Sequence, residues 1–478
     1  MEYVIIGLML KVHNTLTRTK ETFIPLIKDK VSFYYCGPTV YWTQHIGNLR
    51  GSLCADTVVR SLRYLGYEVT YIRNYTDVGH LTSDEDTGED KMEKGSRREG
   101  VSPQEIAQKY IAGYERDTQA LCLVEPTVKC RATFHIREMI TMVQTLLDKG
   151  YAYATDLAIY FDVSKAKNYT ALSGQNMEEL VVGAGNGEIS DPGKRNAVDF
   201  VIWFFKAGAH KNALQYWESP FVSSLVQNGE GFPGWHIECS AMSKKYLGDT
   251  MDLHMGGIEH IPIHHTNEIA QSESANGKQF VRYWLHNEHL LVNDRKMAKS
   301  EGTGFTVDDL KEKGYEPLSL RFFFLQAHYR SKQNFTWEAL TASVNGLERF
   351  RQKFCALGGS NGSVDALWNQ KFVAAVEDDF NMPEALAVAY DVLRSDLSHG
   401  DKRATLLSFD TVLGLQLDTA CTAESEVTAE VRELLKEREC FRSHKQFIQA
   451  DAVRKKIEAL GYEIQDMEEG VTVKKSDI

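Results

Sequence analysis

Val31-Ser-Phe-Tyr-Tyr-Cys36-Gly-Pro38, then His45-Ile-Gly-Asn48, then Val69-Thr-Tyr-Ile72: the fold is decided by how these three stretches follow one another. The first is a β-branched and aromatic run stopped by Gly-Pro, which predicts a buried strand ending in a turn. After the second, Ala55, Val58, Val59, Leu62 and Leu65 recur at helical spacing until Gly66. The third again has strand composition. Strand, helix, strand is a parallel α/β unit, whose ligands sit beyond the carboxyl ends of its strands. Cys36 and His45 fall there.

Outward from this unit the pattern changes several times. Residues 4–10 are apolar but far too short for a membrane span, and they lack a basic leader and a cleavage site. They read as a first strand, or as extra residues ahead of an internal start at Met9. Residues 84–98 are charged and read as a mobile loop, whereas 103–120 and 134–149 carry helical patterns. Residues 151–230 hold short strands, at 158–161 and 198–203, with Gly/Asn-rich connections at 183–187, and read as an insertion that divides the nucleotide-binding domain. From Leu340 the pattern is helical, with 427–460 charged and amphipathic. Two strand-like segments follow at 462–464 and 471–473, and the Ser/Thr/Glu-rich 419–426 reads as a linker.

The length, 478 residues, implies several domains. With 43% hydrophobic and 25% charged residues, the chain is neither disordered nor fibrous. A net charge of -12 excludes a uniformly basic surface but leaves room for local phosphate-binding clusters. Eight cysteines (Cys36, Cys54, Cys122, Cys130, Cys239, Cys355, Cys421, Cys440) are scattered without the framework of a small secreted scaffold, which fits a reducing cytoplasm.

Three constellations carry chemistry. Cys36, Cys239, His264 and Glu268 are ligand types that zinc accepts, and a helix would put His264 and Glu268 on one face. By spacing alone the same residues also read as buried small hydrophobes and a core histidine. His45-Ile-Gly-Asn48 enters a helix, where free N–H groups and the dipole attract phosphate and Gly47 permits close approach. A histidine there is equally a cap. Asp294-Arg-Lys296-Met-Ala-Lys299-Ser300 offers two point charges to a triphosphate, or simply a solvated basic turn.

Together with Leu10-Lys-Val-His-Asn-Thr-Leu-Thr17, Cys36-Gly-Pro-Thr-Val-Tyr41, Phe232-Pro-Gly-Trp-His-Ile-Glu-Cys-Ser-Ala-Met242, His264-His-Thr-Asn-Glu-Ile-Ala-Gln271, Asp379-Phe-Asn-Met-Pro-Glu-Ala-Leu386 and Ala450-Asp-Ala-Val-Arg454, these motifs make the chain resemble the cysteinyl-tRNA synthetases, of class I, over nearly its whole length. The resemblance implies a ligase that activates L-cysteine with ATP and passes it to tRNA(Cys). It implies one zinc ion per subunit on Cys36, Cys239, His264 and Glu268, and a cysteine pocket of Cys36, Thr76, Trp235 and His254. It also implies ATP, with Mg²⁺, held by Gly37, His45, Gly47, Asn48, Gly257, Glu259 and Lys299, with His45, Asn48, Lys296 and Lys299 stabilising charge on the phosphates. The implied fold is a doubly wound, Rossmann-like catalytic domain (1–150 and 231–290) split by a connective insertion (151–230). A rear-motif connector (291–340), a helical tRNA-binding bundle (341–418) and a small α+β anticodon-binding domain (427–478) follow. The implied protein is a cytoplasmic monomer with no membrane partner.

Some positions depart from the family pattern. Asn48 replaces a second histidine and Ala298 a serine, while Met255 interrupts a glycine run. Glu259 stands for an aspartate that holds the ribose, and Thr266 for an acidic residue. Asn74-Tyr-Thr-Asp77 continues as Val-Gly-His80 instead of with paired aspartates. The final strand lacks the usual tryptophan, so the resemblance names no anticodon-reading residue; basic stretches at 432–442 and 454–456 are candidate tRNA contacts or ordinary solvated helix faces. Two rivals stand beside the synthetase: a ligase of the same ancestry that gives cysteine to an amino sugar, and a noncatalytic tRNA-binding paralogue. The helices and terminal module beyond the core speak against the first. The presence of all the zinc and phosphate residues speaks against the second.

Overall fold

The computed structural model describes residues 9–79, 81, 89–177, 191–297, 303–359, 361–425, 429–444, 446–467 and 470–475. Its centre is a five-stranded parallel sheet in the spatial order Val281–Asn287, Met251–Gly257, Lys30–Tyr35, Glu68–Tyr75, Val128–Arg131. The chain starts in the middle, works to one edge, then returns to the other side, so the order reverses between Lys30–Tyr35 and Met251–Gly257. That reversal opens a crevice at the carboxyl ends of these two strands.

The Lys30–Tyr35 strand reads as a continuous apolar run because both of its faces are covered. Phe33 and Tyr35 enter one core with Leu53, Tyr71 and Leu253, beneath the helix Ile46–Tyr64. Tyr34 and Cys36 enter the other with Ile72, Trp203 and Trp284, against the helices Ile136–Asp148 and Trp235–Leu247. A strand with alternate residues in two cores cannot slip by one position without exchanging both sets.

Between Val128–Arg131 and Met251–Gly257 the chain builds a separate antiparallel sheet, ordered Ala152–Ala154, Ala158–Phe161, Phe200–Phe205, Glu230–Pro233, Trp217–Glu218. The expected Gly/Asn-rich connection at 183–187 lies outside the described residues. A small sheet of Arg295–Lys296, Leu290–Val292 and Gln333–Phe335 then leads to the helices Trp337–Cys355, Ala366–Glu377, Met382–Arg394, His399–Leu413 and Leu417–Ser425. The last unit packs helices Ala429–Ser443 and Phe447–Ala459 on a hairpin of Tyr462–Met467 and Gly470–Lys475, around its own core of Val431, Val453, Ile457, Tyr462 and Ile464. Among the described residues, no helix is long and apolar enough to cross a membrane.

Some local readings change. Of the stretch read as a mobile loop, 91–98 belong to the helix Lys91–Glu99: the Asp90 side chain caps its start by accepting from Met92 and Glu93 N–H, Gly100 ends it in the left-handed conformation, and Met92 is fully buried. Most of the 419–426 linker is the helix Leu417–Ser425, tied to Trp337–Cys355 by a Cys355–Cys421 disulfide, a pairing that departs from the reduced cysteines expected of the sequence. The first described strand is Lys11–Asn14, and 1–8 lie outside the described residues.

At the crevice the backbone leaves no spare volume. Gly37 N–H donates to Asn74 Oδ1 at 2.8 Å, and a Cβ on Gly37 would overlap the Asn74 carbonyl. Gly37→Ala is therefore expected to cost about 1–3 kcal/mol, read as a lowered thermal or urea midpoint. An unchanged midpoint would contradict this packing.

Candidate active site

The crevice holds a cavity of ≈ 340 Å³, walled by the strand ends at Tyr35, Cys36, Gly37 and Gly257, by the helix entrance at His45, Gly47 and Asn48, and by Thr76, Trp235, Cys239 and His264. Two separate sequence constellations thus share one space.

At its floor, one ligand atom from each of Cys36, Cys239, His264 and Glu268 lies within 4.8 Å of the others, and all four residues are buried. Cys36 arrives on the central strand and Cys239 on the helix Trp235–Leu247. His264 and Glu268 come from the π-helical turn Ile261–His265 and the helix Thr266–Asn276 that continues it. Cys36 Sγ is 3.8 Å from Cys239 Sγ and 3.9 Å from Glu268 Oε1, while His264 Nε2 is 3.0 Å from Glu268 Oε1. An overlapping set of Cys36, His254, His265 and Glu268 meets the same distance limit.

Protonation in this cluster is strongly biased. Burial pushes the Cys36 thiol well up, helped by its hydrogen bond and charge contact with Cys239. Burial opposes ionisation of Cys239 too, but the hydrogen bonds from Cys36 and His264 outweigh it and bring Cys239 down to about 6. Burial would lower His264, yet Glu268 and Cys239 raise it to about 10. Burial would raise Glu268, yet His254 and His264 hold it at about 2. Cys239 and Glu268 are thus biased toward their charged forms beside His264, a donor set that suits a cation.

A second layer orients these groups. His236 Nδ1 is 3.0 Å from His264 Nδ1, His254 Nε2 is 3.0 Å from Glu268 Oε2, and the Trp235 indole stacks on His264 at 4.2 Å. His265 lies 3.4 Å from Cys36 Sγ, and its other nitrogen is 2.7 Å from His286, which reaches Thr15 Oγ1 at 2.8 Å. Burial, then neighbouring histidines, lower His265 and His286 well below the usual imidazole range. Such partners fix ring orientation around metal ligands.

The upper wall is the helix entrance. His45 caps the helix Ile46–Tyr64: its Nδ1 accepts from Asn48 N–H at 3.2 Å, and its own N–H donates to Asn48 Oδ1 at 3.3 Å. With its oxygen committed to the cap, Asn48 turns its amide nitrogen to other acceptors. Gly47 is tight as well, since a Cβ there would stand 3.0 Å from His45 Nδ1, with Met297 of the rear motif in ordinary contact at 3.5 Å. The Ile46 N–H donates to Phe305 O, so the segment after the rear motif is also sewn to this end. Lys296 pairs with Leu291 in the small sheet, and its side chain and all of Lys299 lie outside the described residues.

Thr76 lines the cavity and accepts from Asn74 Nδ2 at 3.3 Å. His254 is fully buried behind Glu268, stacked on Trp284 at 4.6 Å, and is not part of the cavity wall. Glu259 stands at the rim, its carboxylate folded over Gly257 and 3.7 Å from His289 Nδ1. Sequence reasoning missed the supporting His236, His265 and His286. It also missed Asn287 in the cavity wall, whose buried Oδ1 has no hydrogen-bond partner among the described residues; its place at the carboxyl end of a parallel strand was the available signal.

Comparison with known proteins places the chain in a family. Residues 22–345 match the model of the tRNA synthetases class I (C) catalytic domain. The chain is 44% identical over 462 residues to cysteine–tRNA ligase 1 of Burkholderia lata (96% of each chain) and 41% identical over 499 residues to the cysteine–tRNA ligase of Treponema denticola (98% of this chain, 99% of that one). Among solved structures, an Agrobacterium radiobacter LeuRS–tRNA–LeuAMS complex is similar at TM-score 0.60 and 11% identity (84% of this chain, 86% of that one). Mycobacterium tuberculosis methionyl-tRNA synthetase is similar at 0.54 and 14% (83% and 92%), and these two likenesses speak to the fold alone. The full-length matches to the ligases carry more than the fold: the chain belongs to the cysteine–tRNA ligase family of the class I tRNA synthetases.

Proposed function

We propose that the protein activates L-cysteine with ATP and transfers it to tRNA(Cys), selecting the substrate through one zinc ion on Cys36, Cys239, His264 and Glu268. The observation that carries this reading is that Cys36, Cys239 and His264 open into the same cavity as His45, Gly47 and Asn48. The donor set fits zinc: bonds to sulfur of about 2.3 Å in a tetrahedron give a sulfur–sulfur edge of about 3.8 Å. Cys36 Sγ and Cys239 Sγ are 3.8 Å apart. The alternative set through His265 is the weaker one, because it offers one cysteine instead of two and neither His254 nor His265 lines the cavity. When bound, zinc supplies a soft Lewis acid that stabilises a substrate thiolate, a form the hydroxyl of serine imitates poorly. Selectivity of this origin needs no editing step.

The residues of the chain then position and neutralise. Trp235 and Thr76 close the space around the amino acid. The cysteine carboxylate attacks the α-phosphate of ATP; a carboxyl–phosphate bond forms, the α–β bridge breaks and pyrophosphate leaves. His45 and Asn48 hold phosphate oxygens at the helix entrance, Lys296 and Lys299 neutralise the departing charge together with Mg²⁺, and Gly37, Gly257 and Glu259 cradle the nucleoside. The terminal ribose hydroxyl of the tRNA next attacks the mixed anhydride and releases AMP. The helices of 341–418 lie along the tRNA and 427–478 near its anticodon, in a cytoplasmic monomer.

Cysteine-dependent ATP–pyrophosphate exchange tests the reading. Cys239→Ser is expected to lose bound zinc and at least about 100-fold of exchange; exchange that survives unchanged without metal would sink it. Asn48 gives a separate test. Asn48→Ala should lower exchange about 100-fold by removing a phosphate donor, while Asn48→His stays within about tenfold of the parent. If the alanine variant matches the parent, Asn48 has no part in phosphate binding.

A further inference from the structure

The helix that opens with His45 is held at several points by buried charges that the reaction does not use. Arg50, fully buried, donates to the carbonyls of Glu288, Ser331 (2.6 Å) and His328 (3.4 Å). The turn of 328–331 is in turn gripped by Asp379 of the helical bundle. Its carboxylate, also fully buried, accepts from Tyr329 Oη at 2.9 Å, Arg330 Nε at 2.7 Å and the His13 N–H at 2.8 Å, and its carbonyl lies 3.0 Å from His328 Nε2. Asp379 and Phe380 both adopt positive φ, 61° and 57°, so the bend between the helices Ala366–Glu377 and Met382–Arg394 holds two non-glycine residues in a conformation they disfavour. Farther along the same helix, Asp56 accepts from Arg321 at 2.7 Å and from Arg60. These arginines reach the bundle carbonyls Leu413 O at 2.6 Å and Thr411 O at 2.9 Å.

We propose that Asp379 and Arg330, acting through the 328–331 turn and Arg50, are positioning residues that register the helical bundle on the ATP-binding end of the helix Ile46–Tyr64. Only backbone carbonyls and one turn separate Asp379 from Arg50, and Arg50 lies two residues beyond Asn48. At the cysteine end the Cys36 N–H is held on Met255 O and Cys239 and Glu268 ride on their own helices, contacts that Arg330 does not share; Asp379 reaches that end only through the His13 N–H, a bond that Asp379→Asn keeps through its remaining oxygen. A loosened clamp therefore disturbs nucleotide binding and leaves cysteine binding in place. This inference rests on the reading of the cavity as the site of ATP and cysteine activation.

The test is pyrophosphate exchange by the full-length protein with ATP and cysteine varied separately, alongside zinc content and thermal midpoint, for Asp379→Asn, Arg330→Gln and Arg330→Lys. The Arg330 side chain is 35% exposed, so its variants keep the fold even if Asp379→Asn does not. Arg330→Gln, and Asp379→Asn where it folds, are expected to raise the KM for ATP about tenfold, with the KM for cysteine and zinc content held within about twofold. Arg330→Lys, which retains a donor to Asp379, should recover most of the ATP KM. An unchanged ATP KM in the Arg330→Gln protein overturns the proposal, as does a joint rise of both KM values with loss of zinc, the mark of general loosening. A parent protein without cysteine-dependent exchange overturns the reading of the cavity and this inference with it; an active parent with unaffected variants overturns this inference alone.

Discussion

The strand Lys30–Tyr35 has parallel neighbours on both sides and a core on both faces, and its end lies where the order of the sheet reverses. Nothing about Cys36 or Gly37 can then be adjusted locally. The Cys36 N–H is bound to Met255 O at 3.0 Å, on one side of the reversal, and the Gly37 N–H to Asn74 Oδ1 on the other. One residue therefore delivers its side chain to the buried cluster, and the next presents bare backbone to the cavity. Under the proposed function, the separation of amino-acid chemistry from nucleotide chemistry is set by this one step along the chain.

Electrostatics explains how such a cluster is tolerated in a core. Burying a thiolate and a carboxylate is costly unless positive charge is buried with them. Here the buried groups answer one another: Glu268 and Cys239 raise His264, and His264 in turn lowers both of them. His265 and His286, kept neutral, serve as hydrogen-bonding partners and not as counter-charges.

The sequence made the parallel unit legible because fully buried strands are apolar without alternation and the intervening helix has a strong period; the ends of Lys30–Tyr35 and Ile46–Tyr64 follow from those patterns. Cys36, Cys239, His264 and Glu268 were recognisable only through the motifs around them, since three elements far apart in the chain bring them together. The helix Lys91–Glu99 was misread from its charge, although Asp90 followed three residues later by Glu93 is a usable start signal. The linker at 419–426 was misread from composition, which carries no information about the Cys355–Cys421 pairing. Arg50 gave no signal because its importance lies in which buried groups it meets, and His236 and Asp379 stood inside recognised motifs without a role being legible for either.

The departures from the family pattern become intelligible by the same logic of direction. Met255 interrupts a glycine run, yet it lies on a strand whose alternate residues face opposite cores; its side chain enters the core with Leu253 and Leu285, and only its carbonyl serves the site. The close approach falls to Gly256 and Gly257, where a Cβ would meet His260 and Glu259. Asn48 keeps its oxygen in the helix cap and offers the cavity an amide where an imidazole is usual. Under the proposed function these positions can accept substitution, because what the cavity takes from them is a backbone carbonyl or a single polar donor, and neither depends on the rest of the side chain.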